Sequence, residues 1–347
     1  MRSVPRALVG RSFIHPAVDY ALIGGAWSIL ATGFLLYRPS LVGRLDTVTL
    51  AALILFVNSS HFAASTVRLY SRPGALERLP FLTTVFPLIM LAGLGASVAL
   101  PEQLGRHLQA LYLTWSPFHY AAQTFGLALM YCYISDVRLT PLERRVLWLG
   151  CMAPFARSFL GAPSSGLGWM VPREWILGVP ALARALSMVT ELLLILTFLL
   201  PAVLFLLAYR DGRRILPLIT LIMMVANGLW WTALDYLDAF VLATIAHGLQ
   251  YLAIVLVYHV RDQLRSPGNQ HGWLHHAASF YGRSLLLGYG LFYCWPWALV
   301  WAGAGLAESM LLVVATINVH HFVVDRYIWR SRAPGNAQTL AETSAVA

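Results

Sequence analysis

Five segments of the chain set a histidine three or four residues from a second polar side chain that can bind or orient a metal ion. His15 and Asp19 stand in IHPAVDY, Asn58 and His61 in NSSHF, and His119 and Gln123 in FHYAAQ. His247 precedes Gln250 and Tyr251 in AHGLQY, and Asn318, His320, His321 and Asp325 share NVHHFVVD. On a helix these spacings put both side chains on one face. Neutral imidazole and carboxylate are donors that iron and zinc accept. The candidate ligands are therefore His15, Asp19, His61, His119, His247, His320, His321 and Asp325. Asn58, Gln123, Gln250, Tyr251 and Asn318 are candidates for orienting the imidazoles from outside the metal's own ligand set. A single histidine of this kind is more often a packing residue or part of a proton relay; the recurrence favours a metal. HHxxxD is the sharpest motif, because His321 and Asp325 share a face while His320 points about 100° away on the helix wheel.

The elements that carry these residues are apolar. Of 347 residues, 59% are hydrophobic and 11% charged, against about 45–50% and about 25% in an ordinary soluble domain. That excludes a soluble enzyme. Ten apolar stretches fall near 17–37, 46–67, 79–100, 107–134, 143–162, 184–209, 215–233, 238–260, 283–303 and 305–329, each about the length a spanning helix needs. The expected fold is all-α: a polytopic integral membrane bundle of about ten helices. One transmembrane domain covers 1–332, and a small, polar tail over 333–347 is expected to be disordered. The net charge is +9, every basic residue is Arg, and the arginines punctuate apolar runs. That pattern is a topology signal and not a nucleic-acid surface.

Arginines cluster at 68–78, 138–145, 210–214, 261–283 and 330–332, whereas Asp46, Glu102, Glu174, Asp235 and Asp238 mark the opposite loops. The alternation predicts cytoplasmic termini, with the bacterial inner membrane as the location. Residues 163–183 read as a Gly/Pro/Trp-rich external loop, and 262–282, with His271, His275 and His276, as a polar cytoplasmic one. Gly303–Gly305 predict a tight hairpin between the last two spans. Cys132, Cys151 and Cys294 form no ligand spacing and read as buried bystanders. Arg157 and Glu191 read as a structural pair.

Depth places the histidines in the middle or the cytoplasmic half of the membrane. His61 lies seven residues before Arg68, or about 10 Å at 1.5 Å per residue, and His119 and His247 sit near the midplane. The spread of roughly 15–20 Å is too long for one mononuclear site. It suits a dinuclear or larger centre, or two sites.

In ligand chemistry alone, this pattern resembles the histidine-cluster membrane enzymes such as fatty-acid desaturases and hydroxylases, which hold two irons. Their HxxxH and HxxHH boxes are matched only by His271 and His275, and HHxxxD is a different motif. The alkaline-ceramidase and adiponectin-receptor type of zinc amidase is a second comparison, with Ser59 and Ser60 beside His61, but its helical HxxxH is missing from the last spans. The sequence names no family.

The leading expectation is a non-haem iron oxygenase, hydroxylase or desaturase. Its apolar or lipid substrate would enter from the bilayer, and an electron donor would supply reducing equivalents. A zinc hydrolase of a lipid amide or ester is the alternative, with Asp19 or Asp325 as base. A haem protein ligated through His119 and His247 and a transporter with a His/Asp proton relay are two further readings.

Overall fold

The computed structural model describes residues 8–37, 52–72, 74–162, 165–210 and 215–329, with 338, 340, 341 and 343 of the tail. Asp46, Arg213, Arg214, Arg330 and Arg332, used above to predict sidedness, lie outside the described residues, as does most of the tail. The described tail residues are helical.

Every regular element among the described residues is helical. Five helices are long and apolar enough to cross a membrane: Phe81–Ala99, Pro180–Arg210, Asp238–Leu264, Trp273–Trp301 and Leu306–Ile328. Pro16–Ile23 and Ala26–Tyr37 together make a sixth, bent by 45°. The bend falls at Gly25, whose φ of +75° is costly for any residue with a Cβ. Helix also occupies the described parts of the other apolar stretches, including Arg106–Ile134, Pro141–Gly161 and the 15-residue Leu218–Thr232. Pro180–Arg210 turns Leu182, Met188, Leu192, Ile195, Leu199 and Leu206 outward, a surface suited to lipid.

The chain forms two compact units. The first comprises 1–45, 114–250 and 340–347. Its core packs Tyr120, Trp230 and Trp231 against Ala226, Ala239, Ala243 and Ala246. The Trp230 indole donates to Ser28 Oγ at 3.0 Å, so the largest buried ring keeps its polar atom satisfied. Thr140 and Glu143 form a reciprocal capping box that starts Pro141–Gly161.

The second unit comprises 46–113 and 251–339. Ile54–Ser59 is π-helical and runs into the α-helix Ser60–Tyr70. Gly288 lets the Trp273–Tyr289 helix lie on that junction, since a Cβ there would stand 2.9 Å from the Ser59 backbone. Leu69, Leu82, Val324 and Ile328 close one cluster, and Ala64, Tyr251, Val255 and Phe280 another.

Three local expectations change. The polar segment 262–282 is mostly helix: Tyr236–Leu264 runs into it, and Trp273–Tyr289 begins ten residues before the span expected from 283. Only 265–272 remain as a connection, and His275 and His276 lie in a helix's first turn. Arg157 does not pair with Glu191; its Nη1 donates to the Trp231 carbonyl at 3.1 Å, which satisfies it without a second buried charge. Cys294 is exposed, unlike Cys132 and Cys151. The expected hairpin is present, with Gly303 at φ +100° between Trp301 and Leu306.

Candidate metal centre

Each unit holds its own pair of histidines. In the second unit, His61 and His321 are fully buried, with ring centroids 5.2 Å apart and planes at 86°. His61 opens the α-helical segment that Gly288 seats. His321 and Asp325 follow one another round the Leu306–Ile328 helix, as the i,i+4 spacing requires. His321 Nε2 stands 3.3 Å from Asp325 Oδ2.

The hydrogen bonds around this pair determine what each atom can do. Ser65 has one hydroxyl hydrogen, and it donates to the Phe62 carbonyl at 2.8 Å. Its oxygen, 3.0 Å from His321 Nδ1, therefore accepts from Nδ1–H. A neutral imidazole protonated at Nδ1 presents a lone pair at Nε2. That lone pair faces a carboxylate oxygen, so two acceptors meet unless a proton or a cation lies between them. A proton-bridged pair closes to about 2.5–2.9 Å. Two ligand atoms each about 2.1 Å from one ion, at a near-tetrahedral angle, stand about 3.4 Å apart. The 3.3 Å separation accommodates either a shared proton or a shared ion. Two imidazoles on such an ion place their ring centres about 5 Å apart by the same bond length, and His61 and His321 match that.

Tyr251 and Trp329 both bond the Asp325 carboxylate: the Tyr251 hydroxyl donates to Oδ1 at 2.8 Å, and its ring stands 5.2 Å from that of His321. The donor atoms of His61 and His321, and those of His321 and Asp325, lie within 4.8 Å of each other. His321 and Asp325 could share an ion; His61 pairs with His321 but does not join both of them in one three-residue group. Asn318 Nδ2 bonds the Val314 carbonyl at 2.7 Å instead of an imidazole. The Oδ1 atoms of Asn58 and Asn318 are buried and meet no hydrogen-bond donor among the described residues. These helices thus carry more polarity than the described protein groups satisfy.

In the first unit the His119 and His247 rings lie 4.9 Å apart at 72°, and the Tyr120 ring is 4.4 Å from His247. Gln123 donates to the His247 carbonyl at 3.4 Å and to Gln250 Oε1 at 3.3 Å, while Gln250 donates to the Ile23 carbonyl at 2.8 Å. The two glutamines therefore bond each other and the backbone in these contacts.

Three candidate ligands stand apart from these pairs. Asp19 is buried and accepts from the backbone N–H groups of Phe13, Ile14 and His15, the role of a local cap. His15 is exposed, and its Nδ1 accepts from Ala17 N–H at 3.3 Å. His320 stacks on Phe86 at 5.6 Å.

Sequence reasoning missed Ser65, which fixes the His321 tautomer. Its signal was available: Ser65 is four residues after His61 and so shares its face. It also assigned Tyr251 to His247 by spacing, whereas the hydroxyl serves Asp325. No protein-family model matches the chain, no curated protein matches it, and no solved structure matches it.

Proposed function

We propose that the chain is a membrane-embedded metalloenzyme, a non-haem iron oxygenase, hydroxylase or desaturase acting on a lipid-soluble substrate. The observation that carries this reading is the 3.3 Å opposition of His321 Nε2 and Asp325 Oδ2, with Ser65 fixing the tautomer. An imidazole and a carboxylate facing each other, with a second imidazole beside the first, are donor types that non-haem iron centres use. The His119/His247 pair supports a second ion in the other unit, in keeping with more than one iron per chain.

Iron bound there would supply one-electron and oxygen chemistry, with reducing equivalents from an electron-donor partner. The protein's own part is to hold and insulate. Ser65 and Tyr251 orient the imidazole and the carboxylate, and the apolar helices around them exclude water from the reacting centre. An apolar substrate reaches such a centre from the bilayer. The same reading takes the chain as a ten-span protein of the bacterial inner membrane with cytoplasmic termini.

A zinc hydrolase would use the same His321 and Asp325, so the metal decides between the two. A haem between His119 and His247 fits less well: imidazoles on opposite sides of one iron need ring centres about 6.4 Å apart, against 4.9 Å here.

The test is metal analysis and absorption spectroscopy of detergent-purified protein. Two irons without a Soret band are expected, and His321→Asn and Asp325→Asn should each lower bound iron while the protein still inserts. One zinc per chain would favour the hydrolase. Unchanged metal content in both variants would refute ligation at this motif.

A further inference from the structure

Residues 165–179 lie between the Pro141–Gly161 and Pro180–Arg210 helices, at the ends opposite Arg144, Arg145 and Arg210. They form two short helices, Leu167–Met170 and Arg173–Leu177, separated by extended Val171 and by Pro172. One side of this segment is seated on the first unit. The Gly166 N–H donates to Thr114 Oγ1 at 2.7 Å, and Gly166, at φ +54°, lies so close to the Phe159 backbone that a Cβ would collide with it. Ser165 Oγ is 3.3 Å from the Tyr236 hydroxyl, and Ile176 is buried. The other side is apolar and uncovered: Met170 is 61% exposed, Trp175 70% and Leu177 60%. Val179 and Leu182 are exposed as well, so the apolar surface runs on into the outward row of Pro180–Arg210.

Two of the three environments open to such a segment suit it badly. In bulk water, Met170, Trp175 and Leu177 would stay hydrated together in one short stretch. In hydrocarbon the backbone would fail. Helices of four and five residues leave most of their N–H and C=O groups without partners inside the helix, and lipid tails supply none. Arg173 and Glu174, both exposed, would add two charges to that cost. The headgroup layer meets both demands. It hydrates backbone and charge, takes apolar side chains into the acyl boundary, and is the layer where Trp is enriched.

We infer that residues 165–179 lie in the headgroup layer of the bilayer, with Met170, Trp175 and Leu177 turned into the acyl boundary and Arg173 and Glu174 turned toward water. The partner of this surface is therefore lipid. The inference rests on the membrane reading of the chain and is independent of the metal. Because Gly166 and Ile176 fix the segment to its own unit, it would set the depth at which that unit sits.

The experiment uses the full chain in vesicles of phosphatidylethanolamine and phosphatidylglycerol. Cys132 and Cys151 are buried and only Cys294 is exposed, so Cys294→Ser gives a background in which an added surface cysteine takes the nitroxide label. Met170→Cys, Trp175→Cys and Leu177→Cys are labelled one at a time. Glu174→Cys is the water reference and Ile195→Cys, on the outward face of Pro180–Arg210, the hydrocarbon reference. Collision rates with oxygen and with a water-soluble nickel chelate read the depth of each label. Nickel access at 170, 175 and 177 should be severalfold lower than at 174, and their depth should be shallower than at 195. Nickel access equal to that at 174 would place the segment in water and overturn the inference, and depth equal to that at 195 would do so by making it re-entrant. Protection at 175 with spin–spin broadening that disappears on dilution with unlabelled protein would assign the surface to a second copy and also overturn it. Free nickel access at 195 would sink the membrane reading itself.

Discussion

Tyr251 and Asp325 are joined by a hydrogen bond of 2.8 Å from the phenol to Oδ1, which leaves Oδ2 turned toward His321. Tyr251→Phe removes this donor together with the hydroxyl's contact to Trp329. The buried carboxylate should lose about 1–3 kcal/mol of stabilisation, and metal affinity should fall about ten- to a hundredfold. Chelator-challenge assays and thermal unfolding in detergent read the two effects. If Tyr251 were only packing, the unfolding midpoint would move and chelator resistance would not.

Ser65 tests the tautomer argument. Ser65→Ala should leave His321 free to take its proton on either nitrogen, weakening metal retention about ten- to a hundredfold. Ser65→Thr keeps the hydroxyl and should restore most of it. Equal metal retention in the alanine and threonine variants would show that the hydroxyl does not set the imidazole's protonation.

Gly288 tests how the site is seated. A Cβ there would meet the Ser59 backbone at 2.9 Å, two residues from His61. Gly288→Ala should destabilise by about 1–3 kcal/mol through overpacking and should also lower bound metal. Gly282→Ala, where nothing lies within 4 Å, is the control and should be near neutral. Matching unfolding curves for the two variants would contradict the close approach.

The topology is checked by labelling. In a background lacking the three native cysteines, Ser71→Cys, Arg138→Cys and Ser266→Cys should all react from the cytoplasmic side. A single one of these positions labelled from outside would break the ten-span count.

The helical fold was legible because apolar runs of spanning length leave little choice of backbone. Arg106–Ile134 and Leu218–Thr232 were read within a few residues. The span start at 283 was missed because His275, His276 and Arg283 make the first turns of Trp273–Tyr289 polar, and hydropathy cannot tell a polar helical turn from a loop. For the candidate site, the i,i+4 rule correctly put His321 and Asp325 on one helix face. Spacing within a helix says nothing about the neighbouring helix. Ser65 beside His321 and Tyr251 beside Asp325 are contacts between helices, and both depend on packing that no local pattern encodes. Asp19 misled for a related reason: a carboxylate four residues from a histidine can also fold back on its own preceding amides.

The Gly303 turn has a consequence for biogenesis. Leu306–Ile328 carries Asn318, His320 and His321 in its second half and Asp325 in its last turn, polar groups that each weaken its partitioning into lipid. As a solitary segment it is a poor substrate for partitioning into lipid. The tight turn couples it to Trp273–Trp301, so the two can enter as one hairpin whose first arm is largely free of acidic groups. It also leaves the ribosome after every other described span. His61 and Ser65 therefore wait for His321, and an ion held through both helices would bind only after this hairpin is translated.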